Sequence, residues 1–402
     1  MSIFRQALPW AFSAALLAAC GGGDPDVPGS VGTAGAPTTK GSFTSIVVFG
    51  DSLSDVGSYA PATSLAGNGT PPYFGGKFTT NETSTGAPDA NTLGKVWPEL
   101  VAADLGLVVT PAEVGFGASS VKCPIAAVPS LAATCTGYAQ GGSRVTDPNG
   151  IGHAGGALTV PVVTQIANHL TRFGSFKTTD LVFVYAGSND VFTQFGAFSA
   201  TATQIQASAQ AGTISGDEAN RQLFVAENAA LAGMKQAAQE LAADVVTQIV
   251  AKGGKYVAVM TLSDVVDTPL GRSLPASAQP VLTALSQNFN TWLRDGLANQ
   301  PVQIIDTYPL FKDAYQHPAQ YGFVNNTTPA CDVAKISAIT HGAVADGSSL
   351  FCNGTPGAPY NGLAAGADVN TWQFADTVHP TTGGHKVLAA AFEAQLRAFG
   401  WI

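Results

Sequence analysis

Ser52 stands in the run Phe49-Gly50-Asp51-Ser52-Leu53-Ser54-Asp55, directly after the apolar stretch Ile46 to Phe49. A serine hydroxyl is a weak nucleophile until a neighbouring base takes its proton. The base candidate lies near the end of the chain, in Asp376-Thr377-Val378-His379-Pro380. Asp376 and His379 are three residues apart, so in a turn or a first helical turn they share one side. There the carboxylate accepts the imidazole N–H, fixes the tautomer and stabilises the imidazolium that forms when the serine is deprotonated. Acyl transfer also needs donors for an oxyanion, worth ~3–4 kcal/mol each. Two segments offer them. Gly141-Gly142 allows a close backbone approach to a substrate, and Gly187-Ser188-Asn189-Asp190 brings up an amide side chain. Singly, each has a bland reading: Ser52 as a helix cap, the others as turns. Taken jointly they describe nucleophilic catalysis by a serine.

These residues need a frame that brings distant stretches to one rim. Ile46 to Phe49, Leu181 to Ala186, Tyr256 to Thr261 and Val302 to Ile305 are short, continuous apolar runs, as buried parallel strands are. Between them lie helical patterns. The clearest spans about Phe224 to Lys252, with Leu231, Met234, Ala238, Leu241, Val245 and Ile249 at three- and four-residue spacings before Gly253-Gly254. A last helix is expected near Gly384 to Phe399. Such alternation predicts an α/β fold with a parallel sheet covered on both faces. Ligands in these sheets bind beyond the carboxyl ends of the strands, where Ser52 and Asn189 would lie. Pro61 to Asn91, rich in Gly, Thr, Pro and Asn, reads as a long insertion.

In order, the chain shows Gly50-Asp51-Ser52-Leu53, Tyr138-Ala139-Gln140-Gly141-Gly142, Gly187-Ser188-Asn189-Asp190 and Asp376-Thr377-Val378-His379-Pro380. This resembles the four-block signature of GDSL lipases/esterases, the SGNH hydrolases. Gly76 to Asn81 and Val96 to Leu100 are similar to the region after the family's first block. His317 to Phe323, leading to Cys331, resembles a segment of the hemolysin/phospholipase-like bacterial branch. The resemblance runs from about Ser45 to Phe392. It implies a three-layer α/β/α sandwich with a flavodoxin-like sheet, and ester hydrolysis through an acyl-enzyme. It further implies Ser52 as nucleophile, His379 as base and Asp376 as its orienter. The oxyanion would be held by the backbone N–H groups of Ser52 and Gly142 and by the Asn189 side chain. Gly141 stands as the alternative donor, since Gly137 occupies a position where the family pattern has asparagine.

The chain has 402 residues, 46% hydrophobic and 11% charged, enough apolar material for one sizeable core. A net charge of -9 with no basic run excludes a nucleic-acid footprint. Arg5 and the apolar run Ala7 to Ala19 read as a signal peptide over 1–19, too short to span a bilayer comfortably. It ends in Leu17-Ala18-Ala19-Cys20, which resembles a bacterial lipobox with lipid on Cys20. Gly21 after the cysteine points to the outer membrane, by resemblance to lipoprotein sorting in enteric bacteria. A periplasmic or secreted protein is the alternative. Residues 20–44 read as a lipidated, flexible tether and 45–402 as the hydrolase domain. Membrane contact would be through that anchor alone, and the protein is expected as a monomer.

Four cysteines remain, Cys123, Cys135, Cys331 and Cys352, an even count that suggests two disulfides in an exported chain. Three pairings are open; the local ones, Cys123–Cys135 and Cys331–Cys352, are expected because each pair shares a loop-like segment. No metal site or cofactor is expected, as no CxxC pair or close Cys/His cluster is present. His153, His169, His317, His341 and His385 read as structural or surface residues. Tyr59, Tyr73, Phe74 and Phe78 line an acyl pocket or pack the insertion. Two further functions share the pattern's logic: acyl transfer or polysaccharide deacetylation on the same fold, and ligand binding by a non-catalytic surface lipoprotein.

Overall fold

Runs of β-branched and aromatic residues build the sheet. A computed structural model describes residues 31–32, 34–64, 75–82, 93–358 and 360–402. The signal peptide, Cys20, Tyr73 and Phe74 lie outside the described residues. The strands, in chain order, are β1 (Val31–Gly32), β2 (Ser45–Gly50), β3 (Thr110–Pro111), β4 (Glu113–Phe116), β5 (Ser119–Lys122), β6 (Cys135–Gly137), β7 (Asp180–Tyr185), β8 (Tyr256–Met260) and β9 (Gln303–Ile305). Seven form one sheet in the order β1-β9-β8-β7-β2-β6-β3, and β4-β5 is a separate hairpin. All pairings in the large sheet are parallel except that of β1 with β9. The expected α/β sandwich is the fold observed.

Seven helices of eight or more residues are found among the described residues: α1 (Trp97–Asp104), α2 (Val162–Phe173), α3 (Ser188–Gln210), α4 (Gly216–Asp244), α5 (Gln279–Leu297), α6 (Thr307–Gln316) and α7 (Thr382–Ala398). Register shows how they layer. Val48 pairs with Phe183 and Phe49 with Val184, so Phe49 and Phe183 point to opposite faces. Phe183 meets Trp97 of α1, which meets Phe392 of α7, at ring distances of 5.1 and 4.8 Å. Phe49 meets His169 of α2 at 5.9 Å. Helices therefore cover both faces, and Ile46 to Phe49 are fully buried between them.

Helix boundaries depart from the apolar periodicity where polar residues decide them. α4 begins at Gly216 rather than near Phe224, because the Ser215 hydroxyl accepts from the Glu218 N–H and Asp217 and Glu218 fill the first turn. It ends at Asp244. The expected remainder to Lys252 is a wider turn over Val245–Ile249 and a tighter one over Val250–Lys252, stopped by Gly253 at φ +99°.

The later part of the stretch read as a tether is tied down. β1 pairs with β9, the Gly41 N–H donates to the Trp401 carbonyl at 2.9 Å, and the Trp401 indole N–H donates to the Pro37 carbonyl at 2.7 Å. Trp401 is fully buried, and a buried indole needs such an acceptor. Cys123 is bonded to Cys135 and Cys331 to Cys352, the two local pairings.

Candidate active site

β2 ends at Gly50, whose φ of +154° and closeness to β7 admit no side chain: a Cβ there would lie 2.1 Å from the Tyr185 carbonyl oxygen. Gln165 of α2 clamps this residue, accepting from the Gly50 N–H at 2.9 Å and donating to its carbonyl at 2.8 Å. The chain then turns into a short helical turn, Ser52–Ser54, capped by Asp51, whose carboxylate accepts from the Leu53 N–H at 3.2 Å. Asp51 is fully buried, and burial pushes its carboxyl up to about 6. Ser52 is thereby set at the carboxyl end of a central strand, its side chain partly exposed.

The Ser52 Oγ lies 2.9 Å from Nε2 of His379. On the other edge of the ring, Nδ1 lies 2.8 and 2.9 Å from the two oxygens of Asp376. Asp376 is buried and accepts three backbone N–H groups, from Ser349 at 3.0 Å, Val378 at 3.0 Å and His379 at 2.8 Å. Burial alone would raise its pKa, but the His379 imidazole and these donors outweigh it and hold the carboxyl well below the usual range. An ionised Asp376 bonded to Nδ1–H leaves Nε2 as the acceptor facing the serine hydroxyl. Ser52, His379 and Asp376 thus stand in hydrogen-bonding sequence, as expected from the sequence.

The donor segments arrive beside them. The Gly141 N–H donates to Asp55 Oδ2 at 2.9 Å, and the Gly141 carbonyl accepts from the Tyr59 hydroxyl at 2.8 Å. Gly142 follows at φ +80°, with no room for a side chain: a Cβ would lie 2.1 Å from the Ile151 carbonyl oxygen. Asn189, the second residue of α3, is buried and donates to the Ser143 carbonyl at 2.9 Å. Asp190 accepts from Arg144 Nε at 2.9 Å and from the Val145 N–H at 3.1 Å. α3 and the strap from Gly141 to Val145 thus form one wall.

A family model for GDSL-like lipase/acylhydrolase matches residues 46–392. The chain belongs to the GDSL lipase/acylhydrolase family. It is a hydrolase of the esterase/lipase type. Among solved structures, an extracellular lipase from Streptomyces rimosus is similar at 15% identity and a TM-score of 0.37, over 88% of this chain and 99% of that one. Nothing among curated proteins matches the sequence.

Asp55 and Asn81 help hold this GDSL site and were given no role from the sequence, whereas Tyr59 and Phe78 were expected to line an acyl pocket or pack the insertion. Asp55 accepts from Gly57, Ser58 and Gly141, so one carboxylate ties the serine block to the glycine strap. Phe78 packs its ring 4.7 Å from that of His379. Both Phe78 and Tyr59 are buried behind the strap and the imidazole. Asn81 donates to the carbonyls of Lys77, Thr79 and Ser349, joining the Gly76–Asn81 block to the segment that supports Asp376. The advance signal for Asp55 and Asn81 was their place inside the quoted blocks. Gly137, where the family pattern has asparagine, packs so tightly that a Cβ would lie 2.4 Å from Val56 Cγ2. Strap support comes instead from Asp55, Tyr59 and the Gln140 N–H bonded to the Gly50 carbonyl at 3.2 Å.

Of the other histidines, His385 is buried, with Nδ1 3.2 Å from the Trp97 N–H nitrogen and Nε2 3.2 Å from the Phe78 carbonyl. Burial pushes it down to about 3. His169 sits among Phe49, Phe173 and Phe176, and burial pushes it down to about 4. Both serve packing.

Proposed function

We propose that this protein hydrolyses carboxylic esters outside the cytoplasm, through an acyl-enzyme on Ser52. The observation that carries the proposal is the 2.9 Å contact from Ser52 Oγ to His379 Nε2, with Asp376 on the far edge of the ring. His379 takes the hydroxyl proton as Oγ bonds to the ester carbonyl carbon. The negative charge that develops on the carbonyl oxygen faces the N–H groups of Ser52 and Gly142 and the Asn189 amide. Gly142 is preferred over Gly141 because Asp55 already engages the Gly141 N–H. When the ester C–O bond breaks, His379 returns its proton to the leaving alcohol. Water then repeats the sequence on the acyl-serine and frees the acid. Two disulfides support an oxidising compartment. The Leu17-Ala18-Ala19-Cys20 leader supports export and a lipid anchor.

The test is hydrolysis of p-nitrophenyl butyrate by the wild type and by Ser52→Ala. The variant should lose several orders of magnitude in kcat, as removal of a triad nucleophile does. Wild-type turnover in Ser52→Ala would end the reading.

A further inference from the structure

Two hydrogen bonds tie the β4–β5 hairpin and the loop at 150–157 to the blocks that carry the site, and a third joins the hairpin to the loop. The Gly115 N–H donates to the Ser58 carbonyl at 2.9 Å, the Gly117 N–H to the Gly156 carbonyl at 2.6 Å, and the Ile151 N–H to the Gly142 carbonyl at 2.9 Å. Packing at these joints is close, since a Cβ on Gly156 would lie 2.9 Å from Phe116 Cε1. Phe116 and Ile151 therefore hold fixed positions relative to the glycine strap. Their side chains nevertheless stand in solvent, Phe116 49% exposed and Ile151 46% exposed. Val121 is 57% exposed, and it pairs directly with Val114, two residues before Phe116. Residues opposite one another and residues two apart share a face, so Val114, Phe116 and Val121 lie on one side of the hairpin. A single exposed apolar side chain is ordinary. Three on two segments that are bonded to each other, the loop also to Gly142 of the strap and the hairpin to Ser58, make an apolar shelf, and such a surface marks a ligand site.

We infer that Phe116, Ile151 and Val121 form the acyl-chain shelf of this enzyme, giving it preference for medium-chain over short-chain esters; the inference rests on the ester-hydrolase reading. His379 has to stand beside the leaving oxygen to return its proton, so the alcohol takes the His379 flank. The acyl chain leaves along the Gly142 strap, where Ile151 stands. An acetyl group ends before the shelf, whereas an octanoyl chain lies across it and removes apolar surface from water.

The experiment compares kcat/KM for p-nitrophenyl octanoate and p-nitrophenyl acetate on the full chain, so that the leaving group stays constant. The wild type should favour octanoate. In Phe116→Ser/Ile151→Ser the octanoate-to-acetate ratio should fall tenfold or more, through a raised KM for octanoate, and Phe116→Leu/Ile151→Leu should restore it. An unchanged ratio in the serine variant, or a wild type that favours acetate, overturns the shelf while leaving the hydrolase reading intact. The groove of about 730 Å³ between α3 and α4, which includes Phe198, Ile205 and Ala226, provides a rival path for the chain. A ratio that falls in Ala226→Trp and not in the serine variant overturns the shelf in favour of that groove. A wild type that cleaves neither ester removes the hydrolase reading and the shelf with it.

Discussion

Ser52, His379 and Asp376 meet through hydrogen bonds between named atoms, so their chemistry is decided atom by atom. Asp376 stays ionised because three N–H donors and the imidazole oppose its burial. That fixed charge is what keeps Nε2 an acceptor. Asn189 is the side-chain donor among the oxyanion candidates. Asn189→Ala should lower kcat for p-nitrophenyl butyrate about 10²–10³-fold with little change in KM, the loss seen when one oxyanion donor is removed. An equal loss appearing in KM would assign Asn189 to ground-state binding. The juxtaposition of Ser52, His379 and Asp376 was legible in the sequence because a serine, a histidine and a carboxylate in such blocks are few. Asp55 was not, since its partner Gly141 is 86 positions away and only folding pairs them.

At the scale of elements, the site depends on where strands stop and on what braces the turns after them. β2, β7 and β8 were legible as continuous apolar runs. β3 and β6 were not: Thr110–Pro111 and Cys135–Gly137 are too short, and contain Pro or Gly, to show a strand pattern. The start of α4 was hidden for a related reason, because a polar first turn carries no apolar period. The Cys331–Cys352 disulfide is an element-scale brace. The Cys331 N–H donates to the Ala375 carbonyl at 2.8 Å, and the Asn81 N–H to the Cys352 carbonyl at 2.7 Å, so the bridge joins the strands of chain on either side of Asp376's support. The bridged residues are 21 apart, which in the chain-entropy account corresponds to about 3 kcal/mol. Cys331→Ala/Cys352→Ala should lower the urea-unfolding free energy by about that amount. An unfolding curve that overlays the wild type would show that the brace adds no stability.

Across the whole molecule, burial sets several ionisations and so couples stability to pH. His385 is kept neutral, moved from 6.5 to about 3. Between these values the unfolded chain binds more protons than the folded one, so this contribution is complete above pH 6.5 and is lost as pH falls toward about 3. Asp51, raised from 3.8 to about 6, works in the opposite sense, favouring the folded state less as pH rises through that window. A difference measurement separates the two. The stability advantage of the wild type over His385→Gln, read from urea midpoints, should shrink as pH falls from 6.5 to 4. A gap that stays constant over that range would show that His385 does not titrate differently on unfolding. The fold class itself was legible from alternating strand and helix patterns, while β1 was not, because nothing in a Gly- and Pro-rich stretch signals pairing with an edge strand. All of this architecture converges on one contact, the Ser52 hydroxyl against the His379 imidazole. Peptide mapping after exposure to a fluorophosphonate tests that contact most directly. An adduct on Ser52 is expected, formed far more slowly in His379→Gln. An unlabelled Ser52, or labelling at the wild-type rate in that variant, would contradict it.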